Sequence, residues 1–292
     1  MTCLVAGGST HTEYKELIKG ARIPVLGVGT WGMGGKHTAD YANDAESISA
    51  IRTAIDFGMT HVDTAEYYGA GHTEELVGNA IKPYKREDLF ITTKVYRTHL
   101  HYADVLSSIE SSLRRLCTDY IDLYLVHWPA PTVPIKETMK ALEHCVDEGY
   151  TRFIGVSNFS IHLFQEAQTE LEKHRLVADQ VYYNLNRVQK TYFDGLSVMD
   201  VHSYCRDKNI MLIAWSPLEE GKLAKPGFPV LDEMAKKYKK TQAQVALNWL
   251  ISQEKIVTIP KATNIDHIKE NVGAVGWSLS GRDVRLLEES FY

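Results

Sequence analysis

Apolar runs and amphipathic segments alternate along most of the chain. Eight apolar runs recur at intervals of about 30 residues, and we interpret them as strands at residues 23–29, 60–64, 89–94, 121–127, 152–156, 178–183, 210–216 and 256–260. Uninterrupted apolar runs are typical of parallel strands that are covered on both faces. Strands that alternate with helices predict an α/β fold, and eight such units predict a (β/α)8 TIM-type barrel.

The segments between these strands carry helical periodicity. Apolar residues fall three or four positions apart at Ile48, Ile51 and Ile55, and again between Val105 and Leu116. This spacing puts apolar side chains on one face of a helix, which can then pack on the sheet.

Other segments fall outside the repeat. A short N-terminal extension or hairpin is expected before the first strand, and residues 281–290 predict one extra C-terminal helix. Residues 216–228 contain Gly221, Pro226 and Gly227 and predict a loop over one end of the barrel. Because barrels of this size fold as one unit, residues 1–292 are expected to form a single domain.

The composition limits the classes of molecule that the protein is expected to bind. The formal net charge is −5 and charged residues make up 24% of the chain, so no basic surface for nucleic acid or an anionic membrane is expected. The four cysteines have neither metal-ligand nor redox spacing, and neither a secretory signal nor a membrane-spanning run is expected. We therefore expect a soluble, cytoplasmic monomer or weak homo-oligomer that acts on a small molecule.

One glycine motif resembles a dinucleotide-binding fingerprint. Residues 27–32 read Gly-Val-Gly-Thr-Trp-Gly and follow an apolar run. That fingerprint requires a helix to begin at its last glycine, so that the helix N-terminus meets the pyrophosphate. Here more glycines follow, and helical periodicity begins only at about Asp44. We interpret the motif as a flexible turn at a strand end.

Ionisable side chains follow three consecutive strands. Asp63, Lys94 and His127 stand at the strand ends, and Tyr68 comes shortly after Asp63. The carboxyl ends of barrel strands meet at one mouth, where such folds perform chemistry. A tyrosine that donates a proton near neutral pH would need its pKa of about 10 lowered by ~2–3 units, and a nearby ammonium group favours the phenolate.

These four residues could act as a unit. Lys94 would lower the pKa of Tyr68, Asp63 would keep Lys94 charged, and the imidazole of His127 would orient a bound carbonyl oxygen. Each residue alone has a simpler explanation as a helix cap, a solvated charge or a core histidine. Their shared position at one end of a barrel favours protonation of a carbonyl whose carbon receives a hydride.

A metal site is a weaker interpretation. A metal-assisted hydrolase could use His99, His101 and His127, but residues 99 and 101 point apart on an extended chain. No carboxylate pair with ligand spacing accompanies them, so no metal is expected.

The motifs around these residues resemble the aldo-keto reductase family. The resemblance runs through Asp63–Gly69, residues 91–95 and 125–129, and continues to residue 271. It implies that NADPH or NADP⁺ binds in extended form across the mouth. By position, Tyr68 would be the general acid, Lys94 and Asp63 would tune it, and His127 would orient the carbonyl.

The resemblance also implies the binding residues. Ser157, Asn158 and Gln180 would bind the nicotinamide amide and Trp215 would stack on its ring, while Ser216 and Leu218 would contact the pyrophosphate. The remaining cofactor contacts would be Thr30, Trp31, Asp63, Lys261, Ala262, Thr263, His267, Glu270 and Asn271. Trp31 and Trp128 would wall the substrate pocket beside Tyr68 and His127.

Two positions depart from the family. Many members have Ser and Arg where this chain has Ala262 and His267, so NADPH is expected to be preferred and NADH to bind more weakly. The chain ends soon after the last predicted helix, so an open pocket without a long C-terminal loop is expected.

The expected function is therefore NADPH-dependent reduction of aldehydes or ketones, with aldoses among the candidates. The alternative is a non-catalytic nucleotide-binding barrel that acts as a regulatory or accessory subunit. A complete set of four catalytic residues favours the enzyme.

Overall fold

The computed structural model describes residues 12–187 and 198–291. Its main feature is an eight-stranded sheet of parallel strands in sequential order. The strands are β3 (Gly27–Gly29), β4 (His61–Asp63), β5 (Phe90–Val95), β6 (Ile121–Val126), β7 (Thr151–Ser157), β8 (Leu176–Tyr182), β9 (Met211–Trp215) and β10 (Ile256–Thr258).

The sheet closes on itself. Leu26, just before β3, pairs in parallel with Thr258 of β10, and the Gly29 amide donates to the Pro260 carbonyl at 3.2 Å. The last strand therefore meets the first, and the predicted (β/α)8 barrel is confirmed.

The predicted first strand, residues 23–29, is divided in two. Residues up to Pro24 belong to an antiparallel hairpin of β1 (Tyr14–Ile18) and β2 (Ala21–Pro24), and only Gly27–Gly29 forms the barrel strand. Leu17 and Ile23 of the hairpin pack with interior barrel residues such as Leu123. The apolar run is continuous because the hairpin buries its own residues against the barrel interior, which the sequence pattern does not distinguish from a single strand.

In the described part of the chain, eight helices alternate with the barrel strands. They are α1 (Asp44–Asp56), α2 (His72–Ile81), α3 (Tyr102–Leu116), α4 (Ile135–Asp147), α5 (Ile161–Thr169), α6 (Val198–Asp207), α8 (Gln242–Ser252) and α9 (Ile265–Val272). The helix that starts at Asp44 confirms that none begins at the glycine motif.

Two further helices pack against one another outside this alternation. The C-terminal helix α10 (Gly281–Ser290) has the predicted bounds, and α7 (Pro229–Tyr238), which was not predicted, precedes α8. Lys237 of α7 donates to both carboxylate oxygens of Asp283 in α10, at 2.7 and 2.8 Å.

No helix in the described part of the chain is long and apolar enough to cross a membrane.

Candidate active site

The strand ends bring the predicted ionisable residues together at one mouth of the barrel. Asp63 ends β4, Lys94 is the penultimate residue of β5, and His127 directly follows β6. The His127 amide donates to the Val95 carbonyl at 2.9 Å, so the parallel register continues to the catalytic end. Adjacent strands therefore present these side chains to a common space.

Lys94 is the centre of this group. Its side chain is fully buried, and its ammonium nitrogen donates to Asp63 Oδ1 at 2.7 Å and to the Thr64 carbonyl at 2.7 Å. The distance from Lys94 Nζ to Tyr68 Oη is 3.4 Å. Burial alone would lower the pKa of Lys94, but Asp63 and Tyr68 raise it, so the ammonium group stays charged.

The pKa of Tyr68 differs from the prediction. The expected lowering of its pKa is not found, because burial raises the pKa of Tyr68 and the Lys94 charge opposes this effect only in part. Asp63 adds to the increase, since a nearby carboxylate disfavours the phenolate. The phenol is therefore protonated at neutral pH.

His127 is buried and uncharged. Burial, and secondarily the charge of Lys94, lower the pKa of His127 to about 3. Its Nδ1 atom has no hydrogen-bond partner among the described residues. The imidazole ring lies 5.6 Å from the Tyr68 ring, measured between centroids. A neutral imidazole beside the phenol has one ring nitrogen that can donate a hydrogen bond and one that can accept.

A hydrogen-bonded set lies on the neighbouring strands β7, β8 and β9. Gln180 Nε2 donates to Asp63 Oδ2 at 2.6 Å, and Ser157 Oγ donates to the Gln180 carbonyl at 2.8 Å. Asn158, with a left-handed φ of 60°, accepts at Oδ1 from Trp215 Nε1 at 3.1 Å. Asn158 Nδ2 donates to Ser157 Oγ at 2.9 Å, so the four predicted nicotinamide residues form one network that reaches the Asp63–Lys94 pair.

The other predicted cofactor residues are more widely spread. Thr30 is buried and donates to the Asp63 carbonyl at 2.9 Å. Ser216 and Leu218 lie after β9, whereas Lys261, Ala262, Thr263, His267, Glu270 and Asn271 lie on the loop after β10 or in α9. Ala262 and Asn271 are buried, and His267 and Thr263 are exposed.

Two cationic side chains meet beside Gly32 at the edge of the mouth. A Cβ placed on Gly32 would lie 3.2 Å from Lys261 Nζ and 3.8 Å from Lys36 Cγ. Burial and the charge of Lys36 lower the pKa of Lys261. Within the described part of the chain, no carboxylate contributes to that shift. A cationic pair without a carboxylate, together with the indole of Trp215 and the amides beside it, fits a phosphate-bearing nicotinamide cofactor.

Aromatic rings border the space above Tyr68. Trp31 is 37% exposed and lies edge-to-face with Tyr68, with ring centroids 4.9 Å apart. Tyr67 stacks on Tyr96 at 3.9 Å, and the Tyr96 ring is 6.0 Å from that of His127. Trp128, the other predicted wall, is half-buried directly after His127.

Three residues of this wall were not predicted to line the pocket. They are Tyr67, Tyr96 and His37, and Tyr67 Oη lies 3.0 Å from His37 Nδ1. Tyr67 lies within the Asp63–Gly69 motif, next to Tyr68, and this position was the one signal in the sequence. The stacking of rings 29 positions apart depends on the tertiary fold and leaves no periodic trace in the sequence.

The histidines of the metal hypothesis have other partners. His99 Nδ1 lies 3.0 Å from Glu66 Oε1 and His101 Nδ1 lies 3.2 Å from Glu137 Oε2. Among residues 12–187 and 198–291, no group of three His, Cys, Asp or Glu side chains could hold a metal ion. The structure therefore provides no support for a metal-assisted hydrolase.

Comparison with known proteins identifies this arrangement. A model of the aldo/keto reductase family matches residues 25–290. The chain belongs to the aldo/keto reductase family. Glyoxal reductase of Bacillus subtilis is 36% identical to it over 282 residues, which cover 95% of this chain and 93% of the relative. Methylglyoxal reductase YeaE of Escherichia coli is 32% identical, with coverage of 92% and 91%.

Solved structures of similar reductases share the fold. The thermostable aldo-keto reductase Tm1743, solved with the inhibitor epalrestat, is 44% identical with a TM-score of 0.89, and the match covers 95% of this chain and 99% of that one. An aldo/keto reductase from Klebsiella pneumoniae, solved with NADP and acetate, is 34% identical with a TM-score of 0.81 and coverage of 93% and 92%. The predictions of an NAD(P)H-dependent oxidoreductase and of NADPH as cofactor are confirmed at the level of the family.

Proposed function

We propose that this reductase converts small aldehydes and ketones to alcohols with NADPH, and that Tyr68 is the general acid. The observation that carries the proposal is the buried contact between Lys94 and Tyr68, with Asp63 2.7 Å from the same ammonium group. When bound, NADPH supplies the hydride that the carbonyl carbon receives. The residues described here would supply the proton for the carbonyl oxygen.

The raised pKa of Tyr68 is compatible with this role. The phenol keeps its proton until the carbonyl oxygen becomes strongly basic, which happens only as hydride reaches the carbon. The phenolate left behind then faces the Lys94 ammonium group, whose charge is maintained by Asp63. Lys94 therefore stabilises the product of proton transfer more than the starting phenol.

His127 would orient the substrate. Because its pKa is lowered to about 3, the imidazole is neutral at any working pH and does not compete with Tyr68 as an acid. A neutral ring can donate one hydrogen bond to the carbonyl oxygen. This would hold the oxygen next to the Tyr68 phenol.

The predicted cofactor residues fall into three sets along the proposed path of NADPH. Ser157, Asn158, Gln180 and Trp215 would hold the nicotinamide, because their network reaches Asp63 and therefore the acid. Thr30, Trp31, Ser216 and Leu218 border the same mouth. The adenosine end would lie along Lys261, Ala262, Thr263, His267, Glu270 and Asn271, where Lys261 supplies charge for the 2′-phosphate.

Substrates of low molecular weight fit the site best. The walls are aromatic: Trp31 lies against Tyr68, Tyr67 stacks on Trp31, and Tyr96 stacks on Tyr67. Two relatives are named for reduction of glyoxal and methylglyoxal. We therefore place small carbonyl compounds ahead of aldoses.

The experiment has two stages. NADPH is titrated into the purified protein while tryptophan fluorescence is followed, and NADPH oxidation is then measured against glyoxal, methylglyoxal, simple aldehydes, ketones and aldoses. We expect NADPH binding and faster turnover of small aldehydes than of aldoses. NADPH binding without turnover of any carbonyl would favour the non-catalytic accessory barrel instead.

A further inference from the structure

The turn that follows Tyr68 has a rare backbone conformation. Gly69, Ala70 and Gly71 have successive φ values of 55°, 52° and 96°. A left-handed conformation at a residue with a side chain, such as Ala70, persists only where the surroundings hold it. Because the turn begins at the proposed acid, whatever holds the turn also sets the position of the Tyr68 phenol.

A buried carboxylate lies directly behind this turn. Glu74, in the first turn of α2, is fully buried, and its Oε1 accepts a hydrogen bond from Thr93 Oγ1 at 2.5 Å. Its Oε2 accepts from Arg115 Nε at 2.7 Å and lies 2.6 Å from Arg115 Nη2. Thr93 precedes Lys94 in β5. Glu74 therefore joins the helix that follows Tyr68 to the strand that carries Lys94.

Arg115 also contacts the turn itself. A Cβ placed on Gly71 would lie 3.0 Å from both Cδ and Nε of Arg115. The backbone of α3 approaches α2 just as closely, since a Cβ on Gly78 would lie 2.5 Å from the Arg115 carbonyl oxygen. The main chain of Arg115 in α3 therefore packs closely on α2, and its side chain lies against the turn before α2.

We propose that Arg115 is a positioning residue for proton transfer, which holds Tyr68 against Lys94 through its contacts with Gly71 and Glu74. This inference rests on the proposed role of Tyr68 as acid. The 3.4 Å contact from Lys94 to Tyr68 is longer than the ammonium group's 2.7 Å contacts with Asp63 and Thr64. A small displacement of the turn would therefore separate the phenol from Lys94, while Lys94 itself stays in place.

Stability alone is a poor explanation for this ion pair. A buried pair of charges loses much of its Coulomb energy to desolvation, and apolar side chains of similar volume often serve as well. The guanidinium group of Arg115 instead contacts one Glu74 carboxylate oxygen with two nitrogens, and this geometry determines the distance and orientation between the two side chains. The geometry points to control of the Tyr68 turn.

The test compares two buried ion pairs. In the holoenzyme, Arg115→Met is expected to lower kcat about 10- to 100-fold, because misplacing a catalytic group by about 1 Å has an effect of this size. The Kd for NADPH should stay within about twofold, since proposed cofactor contacts are untouched. The control is Arg86→Met, which breaks a 2.6 Å contact with the buried Asp122 near the opposite end of the barrel. That variant should lower the melting temperature and leave kcat unchanged.

A double-mutant cycle separates positioning from general damage. Arg115→Met should cause no further loss of residual turnover in a Tyr68→Phe background, because its effect acts through the phenol. Gly71→Ala gives a second route if Arg115→Met does not fold. Its Cβ would displace the arginine, and the φ of 96° at this position also disfavours a side chain, so both effects disturb the turn and kcat should fall in the same way.

Two results would overturn the inference alone. In the first, the folded Arg115→Met and Gly71→Ala variants keep a normal kcat although Tyr68→Phe is inactive. In the second, Arg115→Met lowers kcat by the same factor in the Tyr68→Phe background as in the parent protein. Normal turnover in Tyr68→Phe itself would overturn both the acid assignment and this inference.

Discussion

The ammonium nitrogen of Lys94 lies 3.4 Å from the phenol oxygen of Tyr68, and both side chains are buried. Two opposing effects act on the pKa of Tyr68. Burial makes the phenolate costly, and the positive charge makes it less so. The balance keeps Tyr68 protonated in the resting protein, and in the proposed reaction the Lys94 charge would stabilise the phenolate that proton transfer leaves.

Removal of the proposed acid should abolish most turnover. Tyr68→Phe is expected to reduce kcat for carbonyl reduction by about 10²–10⁴-fold, with the Kd for NADPH nearly unchanged. Steady-state kinetics and fluorescence titration measure the two quantities. Tyr67→Phe is the matched control, because it removes the neighbouring hydroxyl, which contacts His37. If Tyr67→Phe were the inactive variant, the acid would have been assigned to the wrong tyrosine.

Breaking the central ion pair should cost stability as well as activity. Lys94→Met leaves the buried carboxylate of Asp63 without its cation, so the free energy of unfolding should fall by about 3–5 kcal/mol. Lys94→Met combined with Asp63→Asn should recover part of this loss, because the uncompensated charge is gone. Urea denaturation at neutral pH measures all three proteins. Equal stability of the single and double variants would show that the pair is not electrostatically coupled.

A buried histidine should make the protein sensitive to mild acid. Burial, and then the charge of Lys94, lower the pKa of His61 to about 3 in the folded protein, against about 6.5 in an unfolded chain. Between these values the unfolded chain binds the extra proton, so stability is lost as the pH falls below about 6.5, with a slope of up to ~1.4 kcal/mol per pH unit for one histidine.

The variant His61→Gln should reduce that slope. Glutamine can replace the contact of His61 Nε2 with Thr92 Oγ1, which is 3.0 Å long, and it does not titrate. The free energy of unfolding is measured between pH 7 and pH 5. His162→Gln, at an exposed position of α5, is the control and should leave the slope unchanged. An identical pH dependence in His61→Gln and the parent would contradict the prediction.

Cofactor preference should respond to position 267. His267 is exposed on α9, where a guanidinium group could form charge-assisted hydrogen bonds to the 2′-phosphate worth ~1.5–3 kcal/mol. His267→Arg should therefore tighten NADPH binding by about tenfold to a hundredfold and leave NADH unaffected. Dissociation constants for both cofactors test this. An unchanged ratio would mean that residue 267 does not face the phosphate and that Lys261 or Thr263 sets the preference.

The sequence by itself determined the barrel and the position of its chemistry. The uninterrupted apolar runs indicate which segments are extended, and the carboxyl ends of parallel strands must meet at one edge of the sheet. For this reason the sequence alone places Asp63, Lys94 and His127 together. The bounds of α10 followed from local pattern in the same way.

Only the tertiary structure decided the properties that depend on packing. The apolar run at residues 23–29 became part hairpin and part barrel strand, because periodicity cannot show which partner covers a residue. The raised pKa of Tyr68 follows from desolvation, which exists only once the surrounding residues have closed around the phenol. The contact of Arg115 with Glu74 joins residues 41 positions apart. Such contacts arise from the arrangement of α2 against α3, so no local pattern along the chain can encode them.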